Sequence, residues 1–288
     1  MLSLHTNAAA LSAQNSIGRT QTTLATSQTR LSTGYRINSA MDDAAGLQIA
    51  TRLKAQTSGM AMAMRNTQNS ISMLQTAEGS FDEVTNMLVR MKDLATQSAD
   101  ASSTDDDRIA QQAEYDALGK ELNNIMKNTT YGGTKLLDGG TIATAMTFQI
   151  GASTDEKMDF DVSTDMTTLT GTDQTAVSAK YTTVDNTAGT EIATQTAANA
   201  MIATIDTAIK SVGTVRSALG ATSNRLDHVH NNLANISTNT KNATGRIMDV
   251  DFAAESANMT TSQMLLQAGT AMLKQSNSQS SLVLSLLQ

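Results

Sequence analysis

The sequence predicts a mainly α-helical protein, built as a long antiparallel bundle of coiled-coil-like helices with one small β-hairpin. Two stretches of the chain repeat an apolar residue every seven positions, which is the spacing of a helical packing seam. The 288 residues include no proline, only 3% of them are aromatic, and 17 are methionine. Long unbroken helices that pack through thin layers of Leu, Ile, Met and Ala fit this composition.

The first long helix begins in the stretch from Arg36 to Leu53, where Asp42 and Asp43 stand side by side. Neighbouring helical residues point about 100° apart, so the two carboxylates cannot converge on one proton or one metal ion. Ser39 followed three residues later by Asp42 matches a capping box, and negative charge is favoured in the first helical turn. The pair therefore predicts a helix start with Ser39 as its cap, in preference to a catalytic or metal site.

After this cap, an apolar residue or a threonine returns every seven positions for about six heptads, as in a coiled coil. One row of the seam is Leu53, Met60, Thr67, Leu74, Phe81, Leu88 and Ala95. A second row runs through Met64 and Ile71 and then shifts to Ala77, Val84 and Met91. The pattern predicts a single helix of about 55 residues, or about 80 Å at the rise of an α-helix.

The next predicted helix covers Thr104 to Met126, with carboxylates crowded at its start, where the helix dipole favours them. Its predicted apolar side consists of Ile109, Ala113, Leu118, Leu122 and Ile125. Four glycines between Tyr131 and Gly140 then break the helical pattern. Residues 43–138 are therefore predicted to form the N-terminal part of a helical domain.

A β-hairpin is predicted from Thr147 to Val162, because apolar residues alternate along both halves of this stretch. The alternating residues are Phe148 and Ile150, then Met158, Phe160 and Val162. Residues 163 to about 195 are rich in threonine and acidic side chains and show little period of any kind. We expect residues 139–196 to comprise the hairpin and a short Thr-rich insert on the surface.

The seven-residue repeat then returns and predicts a second long helix from about Ala197 to Ala243. Its rows are Ile205, Val212, Leu219, Leu226 and Leu233, with Ile202, Ile209, Val215, Val229 and Ile236. Two helices of similar length that are separated by a hairpin can pack antiparallel and bury each other's seams. Residues 197–249 are therefore predicted to be the C-terminal part of the helical domain.

The two end segments, residues 1–42 and 250–288, have helical apolar spacing but almost no charge. The N-terminal segment has no acidic residue before its last position, and the C-terminal segment carries only Glu255 and Lys274 beyond Asp251. The apolar residues that we expect to be buried in an assembly are Leu4, Leu11, Leu24, Leu31, Leu265, Met272, Leu282 and Leu286. Segments with so little to bury stay disordered until a partner supplies the missing face, so we expect disordered ends in a free monomer.

Composition and charge exclude several other classes of protein. A net charge of −7 and a pI of about 4.9 argue against a nucleic-acid partner. No run approaches the roughly 18 apolar residues of a membrane span, and no secretory signal peptide is visible. Cysteine is absent, and His228 and His230 point to different faces of a helix. We therefore predict no metal, no cofactor and no enzyme activity.

Five blocks of the sequence resemble bacterial flagellin and follow the order of that family. Arg30–Leu53 resembles the N-terminal signature, and Leu88–Ala99 and Gly132–Gly139 resemble the blocks that follow it. Gly245–Asn277 and Val283–Leu287 are similar to the C-terminal signature. The large outer domains of many flagellins are missing, which implies a thin, minimal filament.

This resemblance implies a structural subunit that polymerises with itself into the bacterial flagellar filament for motility. It implies that residues 1–42 and 250–288 pair as helices that line an inner tube, with the long helices forming an outer tube. The apolar residues of the end segments would then be the polymerisation interface. The implied location is the extracellular filament, which makes the protein a secreted one.

The resemblance also implies several partners. They are the filament cap and hook-associated proteins, an export chaperone at the C-terminal segment, and the flagellar type III export apparatus, which would deliver the chain unfolded to the distal tip. An animal innate flagellin receptor is a further implied partner, because the family's contact residues match Arg90, Leu94 and Glu114. Arg90 and Leu94 lie one helical turn apart and share a face. The alternative is that Arg90 is solvated and Leu94 packs in the bundle.

Other functions remain open on these residues. A hook–filament junction protein of the same superfamily has similar ends, although its middle is usually longer. A membrane-surface coiled-coil binder would use the amphipathic ends. Such helices normally carry polar faces rich in Lys and Arg, whereas the C-terminal segment has Lys274 as its basic residue beyond Asp251. A lone coiled-coil rod would account for the heptads alone.

Overall fold

The computed structural model describes residues 7–185 and 187–286, with side chains described as far as Ser278. The chain divides into two compact units. The terminal unit comprises Met1–Thr57 and Thr238–Gln288, and the central unit comprises Ser58–Ser237. Each unit therefore has contacts of its own.

The described chain is mainly helical, as predicted. Its longer helices are α1 (Ala8–Thr33), α2 (Ala44–Ser98), α3 (Asp105–Asn128), α7 (Gln195–Met248) and α8 (Phe252–Leu286). The remaining elements are β1 (Thr130–Tyr131), β2 (Thr134–Lys135), a 3-10 turn (Thr141–Ala143), β3 (Met146–Gln149), β4 (Lys157–Phe160), α4 (Ser163–Thr167), a π-helical turn (Thr168–Asp173), α5 (Gln174–Val177) and α6 (Ala179–Thr182). Helix α2 has 55 residues and α7 has 54, which confirms both long helices.

Within the central unit, α2 and α7 pack antiparallel and bury the predicted seams. Lys92 of α2 pairs with Asp206 of α7 at 2.6 Å, and Asp82 pairs with Arg216 at 2.9 Å. Residue numbers rise along one helix as they fall along the other, so the helices run in opposite directions. The buried seam residues include Met60, Ile71, Leu74, Ala77, Phe81, Val84, Leu88, Met91, Ala95, Ile205, Val212, Leu219, Leu226 and Leu233.

Helix α3 is present as predicted, but near its start it buries a different set of side chains. Its N-cap is Thr104, which forms a capping box with Asp107. Ile109 and Ala113 of the predicted apolar side are exposed. Leu122 of that side is buried, and Leu118 and Ile125 pack half-buried against the core. The other buried residues of α3 were not predicted, and they are Gln111, Gln112, Tyr115, Asp116, Gly119, Asn123 and Met126. The prediction was wrong for Ile109 and Ala113, because polar side chains on the buried face find hydrogen-bond partners, such as the Ile192 N–H that donates to Gln112.

Two antiparallel hairpins follow α3. Strands β1 and β2 are joined by Gly132 and Gly133, whose φ values of 59° and 85° suit a tight type I′ turn. Strands β3 and β4 form the predicted hairpin, in which Phe148 lies opposite Met158. The inward side chains of this hairpin are buried, as the alternation predicts.

The segment after the hairpin corrects the prediction of a surface insert. Its short helical turns contribute four side chains to the same core as α2 and α7, namely Met166, Leu169, Val177 and Tyr181, and Ile192 adds a fifth from the turn before α7. The Tyr115 hydroxyl of α3 donates to the Val177 carbonyl at 2.7 Å. Turns of four to six residues are too short to show a helical period. The burial of these side chains could therefore not be predicted from the sequence.

Candidate functional site

The candidate site is the pair of end helices, α1 and α8, which pack antiparallel in the terminal unit. Near one end, the Asn7 side-chain amide donates to the Ser276 carbonyl at 3.3 Å. Near the other end, Arg30 lies 3.7 Å from Glu255. Between them, Gly269 gives α1 close access, because a Cβ on this glycine would lie 2.9 Å from Ile17.

One face of each end helix makes this pair. On α8 the residues that contact α1, Glu255, Gly269 and Ser276, are spaced by multiples of seven. Met259, Leu266 and Leu273 lie half-buried on the same side. On α1, Leu24 and Leu31 follow Ile17 at the same interval and are also half-buried. The pairing of the end helices, which the family resemblance implies for the assembled filament, is therefore already present within a single chain.

A second apolar stripe on α8 faces solvent. Met264, Leu265 and Met272 are 58%, 57% and 68% exposed. Leu265 and Met272 are seven residues apart and therefore share one side of the helix, next to the side that meets α1. On α1, Leu11 is 55% exposed. An apolar surface of this kind in an almost uncharged segment indicates a binding face.

The terminal unit has very little core of its own. Among its described side chains, Ile37 and Ala50 are the buried apolar ones, whereas buried apolar side chains are numerous in the central unit. Large apolar side chains are instead exposed, including Tyr35, Ile49 and Phe252. A unit that buries so little apolar surface gains little free energy from its own folding.

The turn between α1 and α2 is built differently from the predicted cap. Asp43, not Ser39, caps α2, because its carboxylate accepts the Gly46 N–H at 2.8 Å. The Asp42 carboxylate accepts the N–H groups of Ser39 at 2.9 Å and Asn38 at 3.0 Å. These hydrogen bonds, from Ser39 first, hold the pKa of Asp42 below its ordinary value. The two aspartates therefore fix a turn and a helix start, as their structural interpretation requires.

The structure separates the predicted interface residues into groups. Leu11, Leu265 and Met272 lie on the free surface, whereas Leu24 and Leu31 are half-buried on the side of α1 that carries Ile17. Leu4 lies outside the described residues, and the side chains of Leu282 and Leu286 are also outside the described part. Sequence reasoning did not single out Met264 or Phe252, which are also exposed; the scarcity of charge in α8 was the available signal.

The residues predicted for receptor recognition lie in the central unit. Arg90 of α2 and Glu114 of α3 form an ion pair at 2.6 Å, with side chains 55% and 46% exposed. Leu94 is 3% exposed and belongs to the core. The structure thus brings Arg90 and Glu114 together on the surface and places Leu94 beneath it.

In the described part of the chain, no group of three His, Asp or Glu side chains is arranged to hold a metal ion. None of the described helices combines the length and the hydropathy that a membrane crossing requires.

The fold and the exposed stripe define an α-helical structural subunit whose terminal unit leaves apolar side chains uncovered. Residues 4–141 match the family model of the bacterial flagellin N-terminal helical region, and residues 202–287 match that of the C-terminal helical region. The chain belongs to the bacterial flagellin family. Members of this family are structural subunits that polymerise into the flagellar filament, and they are not enzymes. The family therefore confirms the predicted structural role and the prediction that the chain is not an enzyme.

Full-length relatives support this assignment. A flagellin of Halalkalibacterium halodurans is 40% identical over 259 residues, which is 90% of each chain. Polar flagellin A of Vibrio parahaemolyticus is 33% identical over an alignment of 375 residues that covers 99% of each chain. The solved structure of a candidate flagellar hook-associated protein from Vibrio parahaemolyticus covers 72% of this chain with a TM-score of 0.59. At 17% identity, that likeness extends to the fold alone.

Proposed function

We propose that the end helices α1 and α8 form the interior of the filament and that their exposed stripe is the polymerisation interface. One observation carries this proposal: the terminal unit has almost no apolar core, yet it exposes Leu11, Leu265 and Met272 on its surface. The flagellin relatives match over 90% or more of both chains, which favours a filament subunit over a hook–filament junction protein.

The energetic argument concerns what each added subunit gains. Full burial of a Leu or Met side chain is worth about 1.5–3 kcal/mol, and more than half of Leu265 and of Met272 still faces water in the single chain. Neighbouring subunits would cover this area through a heterologous contact that does not close on itself, which produces a helical polymer. The same gain recurs at every added subunit.

The test introduces a carboxylate on the stripe. We expect Leu265→Asp or Met272→Asp to abolish seeded filament growth, because burying an unpaired carboxylate costs several kcal/mol per subunit. In the free monomer these positions face water, so helix content measured by circular dichroism should stay nearly unchanged. Val184→Asp is the matched control, because Val184 is 60% exposed but lies in the central unit.

Electron microscopy of seeded growth distinguishes the alternatives. Elongation of Leu265→Asp at the wild-type rate would contradict the placement of α8 inside the filament. A lone coiled-coil rod would give no polymer before or after the change. A membrane-surface binder would give vesicle binding that the aspartate removes, with no filaments at any stage.

We further propose that the chain leaves the cell unfolded through the flagellar type III export apparatus and is added at the distal tip beneath the filament cap. An export chaperone would hold residues 250–288 before export, and hook-associated proteins would contact the same ends in the assembled flagellum. The absence of cysteine supports this route, because no disulfide has to be opened or formed. The small apolar core of the terminal unit supports this route too, because little packed structure in that unit must be lost before export.

Recognition by an animal innate flagellin receptor is a second proposal. The observation that favours it is the exposed Arg90–Glu114 pair, which presents a cation and an anion side by side on the central unit. Leu94 would act from below by holding α2 in place, since it is buried.

A further inference from the structure

The most exposed large apolar side chain of the terminal unit, among those described, is Met41. It is 96% exposed and sits in the turn between α1 and α2. This turn is well fixed, because the Asp42 carboxylate binds two backbone N–H groups and Asp43 caps α2. A methionine held out in water on a fixed turn is placed to contact something outside its own chain.

A groove of about 460 Å³ lies in the same unit. Its lining mixes apolar groups with two exposed lysines, Lys54 and Lys241, and one acidic residue, Asp249. The apolar lining residues are Tyr35, Leu47, Ala50 and Met248. Tyr35 is 47% exposed, so part of its surface remains open to a ligand or a partner.

We propose that Met41 of one subunit inserts into this groove on a second copy of the chain. The inference rests on the proposed function, because it names a contact of the filament. The occupant comes from another copy, since Met41 is 96% exposed here and so does not fill the groove of its own chain. The protruding Met41 side chain, here called the knob, and the groove are different surfaces of one unit. The contact is therefore heterologous and can repeat without closing.

Charge and side-chain chemistry fit this occupant. Met41 is followed directly by Asp42 and Asp43, while the groove has a net positive lining, with Lys54 and Lys241 against the single acid Asp249. Opposite charges thus meet when the knob enters. A thioether makes favourable contacts with aromatic rings and adapts to irregular spaces, and the exposed part of Tyr35 supplies such a ring.

The first test uses the absence of cysteine from the natural chain. Filaments are grown from an equal mixture of two single variants, Met41→Cys and Thr51→Cys, where Thr51 is an exposed residue of the groove lining. Mild oxidation should give a disulfide-linked dimer in the mixed filaments. Each chain has one thiol, so this product can only join two subunits.

The controls decide what the dimer means. Filaments of either variant alone should give little dimer, and so should a mixture of Met41→Cys with Val184→Cys, whose second cysteine lies in the central unit. Absence of dimer from well-formed mixed filaments overturns the proposal. An equal yield in the control filaments also overturns it, because the cross-link would then be unspecific.

A second test measures elongation. Met41→Leu should grow on seeds nearly as the natural chain does, whereas Met41→Asp should raise the critical concentration at least roughly tenfold, as expected when one methionine loses its burial. Wild-type growth by Met41→Asp would overturn the inference and leave the proposed function standing. Failure of the natural chain itself to grow on seeds would instead overturn the proposed function.

Discussion

At the scale of single residues, two tyrosines of the central unit make its stability depend on pH. Tyr115 and Tyr181 are buried, and burial raises the pKa of each hydroxyl above its ordinary value; Glu191 acts in the same direction on Tyr115, and Asp138 does so on Tyr181. In the unfolded chain a tyrosine ionises near pH 10. The folded state therefore keeps protons that the unfolded state loses, and stability is full below about pH 10 and falls as the pH rises further.

We expect the free energy of unfolding to drop by about 1.4 kcal/mol per pH unit above about pH 10 for each such tyrosine. Tyr115→Phe loses the hydrogen bond to Val177 and should cost about 0.5–1.5 kcal/mol at pH 7. It should also remove one titrating group, so the difference from the natural chain should shrink or reverse near pH 11. Urea unfolding at both pH values measures this, and parallel pH curves for the two proteins would contradict it.

Arg90 and Glu114 allow receptor recognition to be tested with little effect on folding. Their ion pair is half-exposed, and such pairs contribute about 0–1 kcal/mol, so Arg90→Ala and Glu114→Ala should fold normally. We expect both variants to weaken the response of a cell reporter for the innate flagellin receptor. Arg216→Ala is the control, because it breaks a comparable pair with Asp82 elsewhere in the central unit. An unchanged response to both variants would rule out this proposal. Leu94→Ala is a poor probe, since a buried Leu→Ala change costs about 2–5 kcal/mol.

At the scale of elements, the packing of α3 explains how the segment after the hairpin is held. The Gln112 amide donates to Asp116 and to Glu191, each at 2.8 Å. The Asp116 carboxylate also accepts the Gly189 N–H at 2.8 Å. A helix face with several polar residues is thus buried because the next segment satisfies its hydrogen bonds.

Gly119 of α3 provides a test of this contact. A Cβ at this position would lie 2.3 Å from the Ser178 hydroxyl and 3.0 Å from its Cβ, so we expect Gly119→Ala to destabilise the protein by about 1–3 kcal/mol through overpacking. Gly213 of α7 has nothing within 4 Å of the same position, so Gly213→Ala should stabilise by up to about 1 kcal/mol through helix propensity. Thermal unfolding should show the opposite signs, and equal shifts would contradict the packing of α3 against Ser178.

At the scale of the whole molecule, the two units differ in how many apolar side chains they bury. The central unit has an extended apolar core, whereas the described part of the terminal unit buries Ile37 and Ala50. Although α1 and α8 are helical and paired in the single chain, their seam is half-buried and their outer stripe is open. The disordered ends of the free monomer therefore stay a prediction that solution experiments must decide.

We expect limited proteolysis of the monomer to trim both ends toward about residues 40 and 250 and to leave a resistant helical core, because the end pair recovers little of its ordering entropy. The assembled filament should protect the same ends, since neighbours cover the open stripe. Mass spectrometry of the fragments identifies the cleavage sites. Equal protection of both ends in monomer and filament would show that the terminal unit is stable by itself.

The sequence by itself determined the long helices, their antiparallel seams, the β3–β4 hairpin and the uncharged apolar ends. These features rest on periods of seven and two residues, which local geometry imposes on any helix or strand that buries one side. The family blocks at both ends likewise needed no structure. Leu265 and Met272 were found in this way, from spacing alone.

Tertiary structure decided which faces are used. Gln112 and Asp116 are buried in the central unit because polar partners satisfy their hydrogen bonds. Met166 and Tyr181 lie in its core on short turns that show no helical period in the sequence. The structure also left Leu24 and Leu31 half-buried, and it left Met41 exposed within its fixed turn. Such choices depend on contacts between residues far apart in the chain, and a local pattern carries no information about them.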